Sequence, residues 1–188
     1  MQSTAPLASP EFFWEPTRDS AHIVQLYDAD RHLLDSLEAW VAGGLMLGES
    51  VLVIATPAHR RQLVQRLRAH HFDSTALQLA GSLALLDAEE TLARFMRDGM
   101  PDTALFEAAL GRLIEGRTRP VRAFGEMVVV LWKNGQRQAT LALERLWTEA
   151  CRKHELALLC AYPHAVFGSD SEQAIRHVCA AHDSVVMS

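Results

Sequence analysis

Short, uninterrupted apolar runs alternate along this chain with stretches in which apolar residues recur every three or four positions. These are the signatures of buried strands and of helices with one buried face. His22 to Tyr27 predicts a first strand that ends at the turn-prone Asp28-Ala29-Asp30. Leu33, Leu37, Trp40, Val41 and Gly44 then fall at helical spacing, with Asp30 as N-cap and Gly48 as stop. Val51 to Ala55 is apolar throughout, the mark of a strand covered on both faces and hence of a parallel sheet between helix layers. Thr56-Pro57 opens a helix that buries Leu63, Val64 and Leu67. Leu83 to Leu86 predicts a strand closed by Asp87, and Glu89 to Met96 a helix with Leu92, Phe95 and Met96 inward. After the break at Asp98 to Asp102, a helix capped by Asp102 or Thr103 carries Phe106, Leu110 and Leu113.

Val121 to Trp132 reads as a central strand leading into helical sequence, interrupted by Gly125-Glu126. A helix from about Gln136 to His154, a strand from Leu156 to Ala161 and a helix from Ser171 to Ala181 complete the pattern. Near-continuous alternation predicts an α/β fold, a three-layer sandwich around a mainly parallel sheet. Residues 1–20 hold three prolines and a lone Phe12-Phe13-Trp14 cluster. They read as a flexible arm ahead of one domain spanning 21–188.

Composition narrows the function more than it changes the fold. The 188 residues are 49% hydrophobic, and the net charge of −5 comes without any block of like charges. Such a surface lacks the basic stripe that DNA binding needs, so no direct nucleic-acid partner is expected. No signal peptide and no apolar stretch of ~20 residues is present, so the expected location is the cytoplasm, without membrane insertion. Cys151, Cys160 and Cys179 are widely spaced and form no CxxC, giving no local signal for zinc. They read as buried or free thiols.

The familiar catalytic signatures fail. A phosphate loop would place glycines and a lysine directly after the first strand, but the chain offers Asp28-Ala29-Asp30-Arg31 there. Gly43-Gly44 sits inside a helix and lacks dinucleotide spacing, and there is no GxSxG, HExxH or EF-hand loop. No catalytic residue, cofactor or metal is therefore expected, and His70-His71 reads as a solvated helix end. Ligands of open α/β sheets bind at the carboxyl ends of strands. Tyr27, Asp28, His59, Arg60, Asp87 and Tyr162 should converge on that rim. His22 begins its strand and belongs at the opposite end, either as a hydrogen-bonded structural histidine or as part of a site. Glu126, in an apolar setting, must pair with Arg122, Lys133 or a histidine, or else bind a ligand. Glu144 and Trp147, three residues apart on the long helix, raise the same question, and Trp40, Trp132 and Trp147 fit a core as well as a ligand cage.

Six segments, in order, carry a family resemblance: HIVQLYDAD (22–30), GESVLVIATPAHR (48–60), LLDAEETLARFMRDGMPD (85–102), RPVRAFGEMVVVLWKNG (119–135), LALERLW (141–147) and LLCAYP (158–163). The chain resembles the MEDS family, named for the sensory domain of a dichloromethane-responsive repressor and found in methanogens and methylotrophs. The resemblance implies a RecA/KaiC-like core that has lost its phosphate loop, and a sensor of small molecules, without established catalytic residues. It singles out Tyr27, His59, Arg60, Glu126, Trp147, Tyr162 and His22 as a binding rim. Gln136 and Thr148 stand where the family often carries Asn. With no kinase or DNA-binding output region in the sequence, the expected partner is a histidine kinase, a response regulator, another regulator or a second copy. The competing expectations are a nucleotide-binding enzyme using Glu126 as base and a pure protein-interaction adaptor.

Overall fold

The structure, a computed structural model, describes residues 21–188. The sequence expectation for an N-terminal arm and its aromatic cluster lies outside the described residues. The chain runs β1 (Ala21–Tyr27), α1 (Asp30–Met46), β2 (Ser50–Ala55), α2 (Pro57–Ala69), α3 (Ser74–Leu79), β3 (Leu83–Asp87), α4 (Ala88–Ala93) and two short strands, β4 (Met96–Arg97) and β5 (Met100–Pro101). It continues with α5 (Thr103–Ile114), β6 (Val121–Gly125), α6 (Met127–Lys133), α7 (Arg137–His154), β7 (Leu156–Pro163), a 3-10 segment (His164–Asp170), α8 (Ser171–Ala180) and β8 (Ser184–Met187).

Six strands form one sheet in the order β3-β2-β6-β7-β1-β8, every neighbouring pair parallel. The four inner strands explain why. β2 and β6 bury every residue, and β1 and β7 all but one end residue each, so neither sheet face can meet water. Alternate side chains feed two cores. Ile23, Tyr27, Val51, Val53, Phe124 and Leu159 pack against α1 and α2. Val24, Leu26, Leu52, Ile54, Leu158 and Tyr162 pack against α4 to α8. This is the three-layer α/β sandwich that the sequence pattern predicts.

A buried ion pair stands within the α1 layer. Arg122 of β6 is fully buried, its Nε donates to Glu49 Oε2 at 2.5 Å, and its guanidinium lies 4.5 Å from the Trp40 ring centroid. Arg122 therefore pairs with Glu49 and leaves Glu126 to a histidine. The helical Gly44 makes room for the pair, since a Cβ there would stand 2.9 Å from both Arg122 Cδ and Val51 Cγ2.

Three sequence expectations are corrected, the first being the N-cap of α1, which is Ala29 and not Asp30. The strand from Val121 ends at Gly125, and Met127–Lys133 is helical. α6 buries Met127, Val128, Val129, Leu131 and Trp132, and a helix buried nearly all round shows no period that separates it from a strand. The helix expected to reach Met96 stops at Ala93, because Met96 and Arg97 pair instead with Pro101 and Met100. Asp98 and Gly99, both at positive φ, form the Asp-Gly turn that such a ribbon favours. α3 and β8 escape the pattern because α3 buries no residue and β8 is four residues long.

Candidate functional site

Neighbouring strands whose following helices go to opposite faces open a crevice at their carboxyl ends. That happens three times here, once between β3, which leads to α4, and β2. β2 leads to α2 on one face while β6 leads to α6 on the other, and β1 leads to α1 while β7 leads to the 3-10 segment and α8. A histidine–carboxylate pair bridges the β2/β6 and β7/β1 crevices, and Arg60 with Asp87 the one at β3/β2. At β2/β6, Glu126 follows the strand directly and its N–H donates to Ile54 O at 2.9 Å. Glu126 Oε2 accepts the Thr56 N–H at 2.8 Å, and Oε1 lies 2.6 Å from His59 Nδ1. His59 Nε2 is 3.9 Å from Asp30 Oδ2, so the imidazole links the first turns of α1 and α2. Tyr27 borders this group, and burial, with the Glu126 and Asp30 carboxylates, pushes its hydroxyl well above the usual phenol range. At β7/β1, His164 Nδ1 lies 2.8 Å from Asp28 Oδ1.

The hydrogen bond to Glu126 raises the His59 pKa above its ordinary value, against the opposing effect of burial. A raised folded value means that the imidazolium form stabilises the native state fully below the ordinary value of 6.5 and that this contribution fades as pH rises through the folded value. The stability difference between the native protein and His59→Gln should therefore be largest in mild acid and shrink in mild base. Urea unfolding across that range measures it, and a pH-independent difference would contradict the charged pair.

Arg60 and Asp87 form a separate pair at 2.9 Å, and Asp87 also caps α4 by accepting the Glu89 and Glu90 N–H groups. Arg60 further lines a surface groove of about 480 Å³ with Pro57, Arg61, Gln65 and Leu85. Thus the strand-end rim gathers Tyr27, Asp28, His59, Arg60, Asp87 and Glu126, distributed over three linked places.

The remaining expected rim residues are elsewhere, which corrects the expectation of a single rim. Trp147 lies in the core of the α4–α8 layer, edge-on to Phe106 at 5.1 Å between ring centroids. Tyr162 points into the same layer, where its hydroxyl donates to Glu144 Oε1 at 2.5 Å. Glu144 is wholly buried, and its second oxygen lies 3.3 Å from His22 Nε2 and 3.4 Å from His182 Nε2. Cys160 Sγ completes the group, 3.5 Å from His22 Nε2 and 3.8 Å from Glu144 Oε2. The His22 and His182 rings stack obliquely, 4.0 Å between centroids.

Four elements build this inner cluster. His22 of β1 and Cys160 of β7 share one sheet face, Glu144 reaches them from α7, and His182 comes from the turn between α8 and β8. Burial lowers the His22 pKa, and the nearby His182 lowers it further. Burial likewise pushes the Cys160 thiol well above its usual range, with Glu144 adding to the shift. For Glu144, burial works against ionisation, yet the two histidines hold its carboxyl below the usual carboxylate range. Sequence reasoning singles out His22 and Glu144 separately and passes over Cys160 and His182 as site residues. The available signal is parity: His22 and Cys160 fall on strand positions that face the same buried layer.

The model of a family described as MEDS, the methanogen/methylotroph DcmR sensory domain, matches residues 21–183. Among solved structures, a KaiC-like protein from the hyperthermophilic archaeon Pyrococcus horikoshii OT3 is similar, with a TM-score of 0.63 at 11% identity over 99% of this chain and 80% of that one. A second protein from the same organism gives a TM-score of 0.60 at 9% identity, covering 96% of this chain and 87% of its own. Both likenesses concern the fold, and they agree with a RecA/KaiC-like core. No curated protein sequence matches. Among the described residues, no helix is long and apolar enough to cross a membrane.

Proposed function

Because the chain belongs to the MEDS family of sensory domains, we propose that it is a non-catalytic signalling module, one that takes up a small molecule at its strand-end rim and reports to a protein partner. The observation that carries this reading is the turn from β1 to α1. Nucleotide-hydrolysing proteins of this fold class place glycine amides and a lysine there to hold phosphate. Here α1 starts on Asp30 without a side-chain cap, and Asp28 and Asp30 set two carboxylates beside the helix N-terminus. A phosphate approaching that end would meet repulsion where the helix dipole alone would attract it.

The rim itself favours a switch over a catalyst. Both Glu126 oxygens are engaged, by Thr56 N–H and by His59, so this carboxylate is not poised as a general base. A ligand entering the β2/β6 or β7/β1 crevice would have to exchange its own contacts for a histidine–carboxylate pair, which loosens helices on opposite faces of the sheet. That coupling would pass ligand occupancy to a histidine kinase, a response regulator or a second copy of the chain.

Thermal denaturation with a metabolite panel and with ATP plus magnesium tests the reading. A saturable rise in Tm is expected with a metabolite, corresponding to about 2.7 kcal/mol at a hundredfold excess over Kd, and none with ATP. Saturable ATP binding accompanied by turnover that Glu126→Gln abolishes would replace it with the enzyme reading. Co-purification from the native cell identifies the partner, and a partner retained with no ligand response would leave an adaptor.

A further inference from the structure

We propose that His22, Glu144, Cys160 and His182 are the ligands of one four-coordinate, fully enclosed zinc ion. The inference stands apart from the sensory reading, since the site would hold its ion whether or not the protein signals. Geometry is the first support. Tetrahedral zinc with bonds of about 2.0–2.3 Å sets its nitrogen, oxygen and sulfur ligands about 3.3–3.7 Å apart. Four edges of the cluster are 3.3, 3.4, 3.5 and 3.8 Å, and all four donor atoms lie within 4.8 Å of one another.

The proton inventory is the second support. His182 Nδ1 donates to Val178 O at 2.7 Å, so in the neutral ring Nε2 is an inward-facing lone pair, and an imidazolium facing Glu144 gives up its Nε2 proton on binding an ion. That Nε2 is buried and, among the described residues, has no hydrogen-bond partner, with Glu144 Oε2 3.4 Å away. In the His22 tautomer protonated at Nδ1, the Thr148 hydroxyl donates to Glu144 O at 3.0 Å or to Ala181 O at 3.3 Å, and its oxygen accepts the His22 Nδ1–H at 2.9 Å. His22 Nε2 is thereby a second inward lone pair. Two imidazole lone pairs and a carboxylate oxygen thus face one another in a site sealed from water, an arrangement that a cation makes favourable. Each nitrogen or oxygen ligand is oriented by an outer partner: Val178 O on His182, Thr148 on His22 and the Tyr162 hydroxyl on Glu144.

Charge and ligand softness select the ion. On binding, the Cys160 thiol releases its proton to solvent. The thiolate and the Glu144 carboxylate then cancel the two charges of a divalent ion, so the buried site becomes neutral. Two imidazoles, one thiolate and one carboxylate suit zinc and not the all-oxygen preference of magnesium or calcium. Four protein ligands leave no open position, so the ion would tie β1, β7, α7 and the α8–β8 turn together and not act as a catalyst.

The test uses the full-length, untagged chain, refolded with Zn²⁺ or Co²⁺ and then dialysed. The expected result is one bound ion per chain, and with cobalt the visible bands of a tetrahedral site together with a thiolate-to-cobalt charge-transfer band. Cys160→Ser should remove the charge-transfer band. Thr148→Val touches no ion, and should weaken zinc about 10–100-fold while the circular dichroism stays native. The second variant keeps the test decisive if a ligand variant fails to fold. A natively folded chain that retains no ion, or a cobalt spectrum without the thiolate band, would overturn the proposal.

Discussion

Glu49→Ala should lower the unfolding free energy by about 3–5 kcal/mol, the range for removing one partner of a buried ion pair. Arg122 is 0% exposed and Glu49 4%, so neither charge can turn to water when the other is lost. The pair also supports the inner wall of α1. Its neighbours are Trp40, whose ring lies against the guanidinium and whose Nε1 donates to Ala123 O at 2.9 Å, and the close approach at Gly44. Replacing both charges, as Glu49→Leu with Arg122→Met, should recover much of the loss, because the desolvation of two ions is removed together with their attraction. Urea unfolding of the two single variants and the double variant measures the coupling. A Glu49→Ala protein of native stability would show that the pair contributes nothing to the fold.

Trp147→Ala should cost a similar amount, about 3–5 kcal/mol, for a different reason. The indole is 1% exposed and fills the layer between Phe106, Met127 and Ile54. Truncation would leave a cavity whose walls belong to the sheet and to rigid helices, so they can follow it only in part. Trp147→Phe should be much milder. It keeps a ring in place and removes a buried indole N–H that has no hydrogen-bond partner among the described residues. Equilibrium unfolding separates the two variants. Native stability in Trp147→Ala together with a lost ligand response would return this residue to the binding rim.

The rim is partly legible in the order of residues alone. Tyr27, Asp28, His59, Arg60, Asp87 and Glu126 all sit where apolar runs end, and a parallel sheet sends those ends to one side. Which of them pair is not legible. Arg122 is four residues from Glu126 and looks like its natural partner, yet Arg122 sits on the strand face toward α1 and finds Glu49, 73 residues away. Glu126 lies past the strand end and meets His59 across the crevice. The inner cluster is less legible still, because its four ligands are scattered from position 22 to position 182 and no local spacing joins them.

The sequence by itself determined the alternation of strand and helix, the parallel sheet and the absence of a phosphate loop. Each of these follows from contacts or turns made within a few residues, and backbone periodicity records such contacts directly. Tertiary structure alone decided the strand order, the partner of each buried charge and the meeting of His22, Glu144, Cys160 and His182. Those outcomes depend on which distant strands lie side by side, and a residue's local neighbours carry no record of what packs across the sheet from it.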